Sequence, residues 1–438
     1  MYCQYKAVIL RVQDRDTATC KTMRRRNIFL YNLFVVTENF VILLVTSTVG
    51  INVNEKQNAI VMKKKTTDEA PMKGRLQSLD TLRGFDMLFI MGGAGLVTGL
   101  ATLIPCGFTE ALAGQMHHVD WHGLAFMDTI FPLFLFIAGI SFPFSLEKQR
   151  KSGKSRAATY RKVLRRGLIL VVLGIIYNGF LVNLNFAEQR YASVLGRIGL
   201  AWMFGALIYM NTGWKARSVI IGVILVGYWL VMGFIPAPDG AGADIFSAEG
   251  SIAGWVDRNF LPGSLYQGNI DPEGLLGLIP AIATALMGMM TGEFVKMKRE
   301  GLSENRKVAY MICAGLVMLA VGLLWSTVFP INKKLWTSTF VLVVGAYSLI
   351  MFALFYWIID VKNHRGWTFF FVVIGMNSIT IYLAQRFIRF WDTTWELGNG
   401  IKNLLPEPAQ PLFNSIVYIT LCWLFLYFLY KKKVFLKV

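Results

Sequence analysis

Three of the four histidines lie within six residues of one another, between His117 and His122. Imidazole is the side chain best suited to accept and release a proton or an acyl group near neutral pH. Long apolar runs enclose this segment on both sides, which places it at a membrane surface. Asp128 follows about one helical turn inside the next run, where a carboxylate is costly unless it is paired. The histidine cluster and Asp128 are therefore the first candidates for chemistry.

We predict that Asp128 accepts a hydrogen bond from His118, ten residues earlier in the chain. Such a pair fixes the tautomer and leaves the other ring nitrogen free to act as a base or nucleophile. Two other interpretations stay open: interfacial histidines solvated by lipid headgroups, and a metal site. His118 and His122 are four residues apart. Zinc needs a third ligand, however, and none lies nearby in sequence, so we expect no metal.

Charged residues in other apolar runs form a second group of candidates. Asp80, Arg83 and Asp86 are spaced three residues apart at the start of the first run, so they share a helix face. They form either an interfacial charge network or an anchor for a charged cosubstrate. Arg197, near the start of the fourth run, needs an anionic partner if it is buried. A phosphate gripped by the guanidinium would serve, and so would a structural carboxylate.

Uncharged polar residues and one acidic motif complete the candidates. Asn377 and Ser378 lie in the ninth run, where they either join helices by hydrogen bonds or support the site. Asp271 followed by Pro272 is typical of a helix N-cap and first turn. This interpretation leaves Glu273 facing an outer vestibule.

Composition restricts the class of protein. Of 438 residues, 55% are hydrophobic, and the mean hydropathy is +0.50. These values predict an all-α, polytopic transmembrane helical bundle. The net charge of +18 does not indicate nucleic-acid binding, because Lys and Arg lie in short blocks between apolar runs. The five cysteines are scattered, which argues against a disulfide framework or a zinc site.

We predict ten core helices, each close to the roughly 20 apolar residues that a bilayer requires. Their predicted ranges are 82–104, 124–146, 164–183, 194–212, 217–236, 274–296, 307–328, 338–359, 367–388 and 411–431.

The distribution of Lys and Arg predicts the orientation of these helices. The basic blocks at 63–65, 148–166 and 296–307 all fall on one side, which is cytoplasmic by the positive-inside rule. The histidine cluster and the long loop 237–273 fall on the other side. We therefore predict a multi-pass membrane protein with both ends of the ten-helix core in the cytoplasm.

Residues 1–61 conflict with this arrangement. The apolar segment 27–51 is long enough to span, but basic blocks at 24–26 and 63–65 flank it on both sides. No orientation suits both blocks. We interpret residues 1–61 as an uncertain N-terminal extension: an eleventh helix, a cleaved leader or the result of a misassigned start codon. Residues 62–438 form the predicted transmembrane domain.

Six motifs in series resemble the heparan-α-glucosaminide N-acetyltransferases and their bacterial homologues. They are in order, cover roughly residues 75–390, and are specific as a set. They are RLQSLDTLRG at 75–84, HVDWHG at 118–123 with Asp128 and Phe131-Pro132, VLGRIG at 194–199, DPEG at 271–274, PINKKLWT at 330–337 and GMNSI at 375–379.

The resemblance implies a transmembrane acyltransferase domain at 62–438. Acetyl-CoA would donate from the cytoplasm, and the acceptor would be the amine of a glucosamine-type sugar on the periplasmic side. His118 takes the place of the family's active-site histidine, as acetyl carrier or base, with Asp128 orienting it. The supporting residues would be His117, His122, Asn377 and Ser378. The CoA-binding residues would be Arg83, Arg166 and Arg197, and the acceptor-binding residues Trp121, Glu273, Asn332 and Lys333.

Two departures from the family pattern leave the acceptor open. The best-known members carry an Asn near the outer end of the first core helix, but this chain has none between Asp86 and His118. The family also has Asn at the position of His122. Two rival functions are a proton-coupled sugar permease, which would use His118 and Asp128 as a relay, and an O-acetyltransferase of an envelope polysaccharide. The partners expected are the two substrates and the lipid bilayer, with a homodimer left open.

Overall fold

The computed structural model describes residues 76–436, except for the side chains at 182 and 183. Within that range all regular elements are helical, apart from two isolated β-bridges. The all-α prediction is confirmed. The extension at 1–61, with its proposed eleventh helix, lies outside the described residues.

The described helices are numbered in chain order. They are α1 (Gln77–Leu88), a π-helical stretch (Phe89–Gly93), α2 (Ala94–Leu103), α3 (Gly107–Gly114), α4 (Phe126–Lys151), α5 (Arg156–Tyr177), α6 (Phe180–Asn183), α7 (Val194–Asn211), α8 (Trp214–Phe234), α9 (Ile252–Phe260), α10 (Leu278–Lys296), α11 (Glu304–Trp325), α12 (Ser338–Phe355) with a π-helical turn (Tyr356–Val361), α13 (Phe369–Met376), α14 (Ser378–Phe387), α15 (Phe390–Lys402), a 3-10 turn (Glu407–Ala409) and α16 (Gln410–Lys431).

Eight described helical stretches are long and apolar enough to cross a membrane. A ninth arises if α13 and α14, bent by 69° at Asn377, count as one span. The predicted span 164–183 forms most of α5, but a run of basic residues from Arg161 to Arg166 interrupts its apolar sequence. The chain is thus a multi-pass membrane protein, and the predicted count of ten is not confirmed.

Helix α4 lies at the centre of the bundle, and 83% of its apolar 18-residue stretch is buried. Glycines bring it against α10: a Cβ at Gly139 would lie 2.4 Å from the Ala285 carbonyl oxygen, and one at Gly288 would lie 2.2 Å from that of Phe136. Small residues permit this approach, and van der Waals packing holds helices together in lipid. The close contact fixes both ends of α4 relative to the bundle.

Two spans are interrupted near each other in the bundle. The first span has a π-helical stretch at Phe89–Gly93, where Gly92 adopts a φ of 116° that only glycine takes readily. The bent span breaks at Asn377. The carbonyl oxygen of Ile90 accepts a hydrogen bond from Gln385 of α14 at 3.4 Å. Irregular backbone at membrane depth is thus covered by protein rather than lipid.

The loop 237–273 folds over one end of the bundle. Its Phe246 carbonyl oxygen accepts a hydrogen bond from the Trp121 indole at 2.8 Å. The buried carboxylate of Asp257 accepts from the backbone N–H groups of Asp271, at 3.3 Å, and Leu275, at 2.9 Å. Burial raises the pKa of Asp257 to about 6. These bonds tie the loop to the start of α10.

Candidate active site

The candidate site is built on the first turn of α4. Asp128 is the third residue of that helix, and its Oδ2 accepts from the Ala125 N–H at 3.0 Å, which satisfies one of the donors left free at a helix start. Its Oδ1 lies 2.7 Å from Nδ1 of His118. The Asp128 side chain is 1% exposed and that of His118 56%. The carboxylate is therefore hidden behind an imidazole that a substrate can reach.

Lys333 joins this pair from the turn before α12. Its Nζ lies 3.2 Å from Oδ1 of Asp128 and 3.1 Å from Nδ1 of His118. Burial lowers the pKa of Lys333, against the opposing attraction of Asp128. His118 Nδ1 can accept a hydrogen bond from the Lys333 ammonium only when this nitrogen is unprotonated. When it carries a proton, Nδ1–H donates to the Asp128 carboxylate instead. The short contact with Asp128 favours Nδ1–H, which leaves Nε2 unprotonated in the neutral ring.

Three further predicted residues, Asn332, His122 and Trp121, lie in the loop that carries His118 and the turn that carries Lys333. Asn332 is buried, and its Oδ1 accepts from the Leu335 N–H at 2.9 Å, so it shapes the turn that carries Lys333. Its Nδ2 lies 3.4 Å from Nδ1 of His122. Loss of solvent lowers the pKa of His122. Trp121 is held by the loop 237–273, whereas His117 is exposed.

Glu273 lies at the same end of the bundle, in an ion-pair network. Arg190 binds both oxygens of Asp271 at 2.7 Å, and it also contacts Glu273. The two carboxylates raise the pKa of Arg190 above its usual value. Glu273 is therefore held by a guanidinium, and its side chain is only 9% exposed.

Arg197, for which a CoA-binding role is predicted, is buried beside the start of α10. It is 3% exposed, donates from Nη2 to the Gly274 carbonyl oxygen at 2.9 Å, and lies over the Trp336 ring at 4.9 Å. Trp336 packs against Phe131 near the start of α4. By contrast, Arg83 donates to Ser141, ten residues or about 15 Å further along that helix. Arg197 lies near the first turn of α4, because α7 begins there.

The two ends of α4 differ in kind. We call them the His118 end, at its first turn, and the Gln149 end, near its last. A cavity of about 630 Å³ opens at the Gln149 end. Its described lining residues are Gln149, Lys154, Ala158, Arg161, Lys162 and Arg165.

Arg166 and Arg83 lie between the cavity and the bundle interior. Arg166 is beside the cavity residues in sequence, and its guanidinium lies 4.3 Å from the centre of the Trp202 ring. Arg83 donates to Ser141 at 3.2 Å and lies 3.6 Å from Asp80. In the sequence, only the dense basic run RKVLRR at 161–166 indicates this cavity, and no pattern distinguishes Arg161, Lys162 and Arg165 individually.

Asn377 and Ser378 occupy the break between α13 and α14. Both are buried. Thr380 Oγ1 donates to Asn377 Oδ1 at 3.4 Å, while Nδ2 of Asn377 has no hydrogen-bond partner in the described part of the chain. The described contacts do not join either residue to His118. Among residues 76–436, no group of three His, Cys, Asp or Glu side chains is arranged to hold a metal ion.

Fold and site together define a multi-pass membrane protein with an ordered His–Asp–Lys cluster at one end and a basic cavity at the other. Residues 75–321 match the family described as "Heparan-alpha-glucosaminide N-acetyltransferase, catalytic". This is more than half of the chain, and the protein belongs to that family.

Two curated relatives carry the same family name. Heparan-alpha-glucosaminide N-acetyltransferase of Homo sapiens is 27% identical over 421 residues, and that of Mus musculus is 26% identical over the same length. Each alignment covers 83% of this chain and 60% of the relative. The chain thus spans about 60% of the length of the curated relatives it matches.

Proposed function

We propose that this protein transfers an acetyl group from acetyl-CoA, across the membrane, to the amine of a glucosamine-type sugar. The observation that carries this proposal is the His118–Asp128 pair, with a buried carboxylate at 2.7 Å behind an exposed imidazole. The family membership and the names of the relatives supply the reaction class. A basic cavity at the opposite end of the same helix gives the phosphates of CoA a place to bind.

His118 has two mechanistic roles consistent with this geometry. As a base, Nε2 takes a proton from the sugar ammonium, the freed amine forms the C–N bond, and the C–S bond to CoA breaks. As a carrier, Nε2 attacks the thioester, and the C–S bond breaks to release CoA as a thiolate. The free sugar amine then attacks the acetyl group, the bond from the acetyl carbon to Nε2 breaks, and the thiolate takes up the surplus proton of the amine. In both routes Asp128 holds Nδ1–H and stabilises the positive ring. Lys333 also contacts Asp128, so the carboxylate is shared between the imidazole and an ammonium group.

The CoA phosphates bind at the Gln149 end in this proposal. Arg161, Lys162 and Arg165 line a cavity large enough for part of a nucleotide, and guanidinium groups bind phosphate oxygens in pairs. Arg166 and Arg83 extend the positive charge into the bundle. By the positive-inside rule this end faces the cytoplasm of a bacterium, where acetyl-CoA is available.

The acceptor binds at the His118 end. Trp121 offers an aromatic face, and Glu273 offers a carboxylate to a cationic amino sugar. Because Arg190 already holds Glu273, an incoming ammonium has to compete with or extend that network. Asn332 acts through the turn that positions Lys333.

The test uses purified protein in lipid nanodiscs with isotopically labelled acetyl-CoA. Glucosamine, its oligosaccharides and matched neutral sugars serve as acceptors, and mass spectrometry locates the label. Amide-linked acetyl on the amino sugars supports the proposal. Acetyl esters alone would identify an O-acetyltransferase, and sugar counterflow without CoA binding would identify a permease.

A further inference from the structure

Asp86 is a buried carboxylic acid that the proposed chemistry does not yet use. It is 0% exposed, and neither of its oxygens has a hydrogen-bond partner in the described part of the chain. It lies on α1, nine residues or about 14 Å from Gln77, which is close to half of a bilayer's hydrocarbon thickness. The π-helical stretch at Phe89–Gly93 follows it closely, and such stretches are frequent at functional sites.

A second unsatisfied group lies beside Asp86. The Tyr347 hydroxyl of α12 is buried, lacks a hydrogen-bond partner among residues 76–436, and lies close to Asp86 and Thr129. The Phe126 ring packs against both Tyr347 and Phe89. Asp86 and Tyr347 therefore lie beside the first turn of α4. Thr129 is turned about 100° from Asp128 on that helix, so this interior pair and the His118 pair occupy different faces.

The free-energy cost of burying unpaired polar groups indicates that a ligand or a proton satisfies Asp86 and Tyr347. A buried polar group without a partner costs about 1–3 kcal/mol, and an ionised carboxylate costs more. The carboxyl must therefore carry a proton or meet a donor that a ligand brings. An intramembrane acid is a functional candidate by default.

The position of Asp86 indicates which ligand. Arg83 lies three residues before it on the same helix face, on the side of the Gln149 end. From that end toward His118, the bundle thus presents cations, then an uncharged-or-acidic acceptor, then the imidazole. Acetyl-CoA presents the matching order: phosphates, a pantetheine arm with two amide groups, then the thioester.

We propose that Asp86 and Tyr347 form the interior binding site for the amide groups of the pantetheine arm. This inference rests on the proposed use of acetyl-CoA. The Asp86 carboxyl accepts from an arm N–H, and the Tyr347 hydroxyl donates to an arm carbonyl. Both are binding residues that hold the thioester at the depth where His118 reaches it, and neither takes part in bond making.

The test compares acetyl-CoA with S-acetylpantetheine, which keeps the arm but lacks the phosphates and nucleotide. Asp86→Leu should raise the KM for both donors by roughly 10-fold, since each lost hydrogen bond weakens binding. Arg165→Ala should raise the KM for acetyl-CoA alone. Tyr347→Phe keeps the shape of the site and should raise both KM values by about 3-fold, whereas Asp86→Asn keeps an acceptor oxygen and should raise them less.

The control is Ser348→Ala, one residue from Tyr347, whose hydroxyl donates within α12 to Val344 at 2.6 Å. It should leave both KM values unchanged. If Asp86→Leu and Tyr347→Phe also leave both unchanged, the inference is wrong. A fall in kcat with unchanged KM values would instead make Asp86 a proton-handling group and overturn it.

A binding measurement separates this inference from the proposed function. CoA contains the arm, whereas adenosine 3′,5′-bisphosphate supplies only the nucleotide phosphates. Wild-type protein should gain more thermal stability from CoA than from the bisphosphate, and Asp86→Leu should lose most of that difference. Equal stabilisation of the wild type by both probes would refute the arm site. A full difference without any acetyl transfer would refute the proposed function alone.

Discussion

The two ends of α4 handle charge in opposite ways. At the His118 end, cations and carboxylates meet directly: Lys333 contacts Asp128, and Arg190 holds Asp271 and Glu273. At the Gln149 end, the described residues that line the cavity include four cations and no acid. The first end is already neutralised and fixed. At the second end Glu147 pairs with Lys151 and Lys296, but the cavity itself is incomplete until an anion binds. In the proposed mechanism the chemistry takes place at the fixed end, because reacting groups must be held in place before the substrate arrives.

This contrast has a consequence for salt dependence. Mutual repulsion at the Gln149 end is relieved by a polyanionic ligand, and dissolved salt screens that attraction. The Asp128 contacts are buried and screened much less. Added salt should therefore raise the KM for acetyl-CoA more than the KM for the sugar.

The largest expected effect comes from removing the reactive group of the fixed end. His118→Ala should lower kcat at least about 100-fold, because no other described side chain at Asp128 offers an exposed ring nitrogen. Stabilisation by CoA should remain, since the cavity lies at the other end. Turnover by the purified variant and its thermal shift with CoA are the two measurements. Turnover close to that of the wild type would remove His118 from the mechanism.

Neutralising the buried partner should have the next largest effect. Asp128→Asn keeps the shape but loses the charge that orients and stabilises the ring, and it should lower kcat about 10- to 100-fold. In Asp128→Asn the Lys333 ammonium loses its carboxylate partner. The double variant Asp128→Asn with Lys333→Met removes this unpaired charge, so it should lose no more activity than Asp128→Asn alone. A variant that fails to accumulate in the membrane would show instead that Asp128 mainly stabilises the fold.

Removing charge from the incomplete end should act on one substrate. Arg161→Ala with Arg165→Ala should raise the KM for acetyl-CoA about 10-fold, leave the KM for the sugar within about 2-fold, and reduce the salt dependence. The matched control is Arg299→Ala, an exposed cation after α10 outside the cavity. An equal effect of the control would mean that only the overall potential matters. An effect on the sugar would move the acceptor to this end.

The fold could be predicted from sequence because a helix in lipid needs a long apolar run, and such runs are visible directly. The spacing from His118 to Asp128 was also readable, since both flank one helix start. Lys333 reaches Asp128 from 205 residues away, so its distance from the pair is set by packing and not by local pattern. The neighbours of Arg197 could not be predicted for the same reason: the composition of a run shows that an arginine is buried, but it does not show which residues the arginine contacts.

The orphaned groups show a second limit of the sequence. The three-residue spacing of Asp80, Arg83 and Asp86 places them on one helix face, which predicts either a charge network or an anchor for a charged cosubstrate. In the structure Arg83 instead contacts Ser141 and Asp80, and Asp86 is buried near Tyr347. Spacing along one helix predicts which residues can meet, whereas the helices packed around it decide which do.

The smallest expected effect concerns Asp257, which departs from the pairing pattern of the His118 end. Its carboxylate accepts from two backbone N–H groups and has no direct salt bridge among the described residues. Because burial raises its pKa to about 6, its contribution to stability is present below the unfolded-state value and is lost as pH rises through about 6. Asp257→Asn mimics the protonated carboxyl. Relative to this variant, the wild type should lose about 1–3 kcal/mol of unfolding free energy between mildly acidic and neutral pH, measured as Tm and as protease cleavage of the loop 237–273.

Asp239→Asn is the control with opposite sign: Arg258 lowers the pKa of Asp239, so the contribution of Asp239 to stability is lost as pH falls. A difference between wild type and Asp257→Asn that stays constant with pH would mean that the carboxyl remains ionised in the fold, and that the His118 end tolerates an unpaired charge after all.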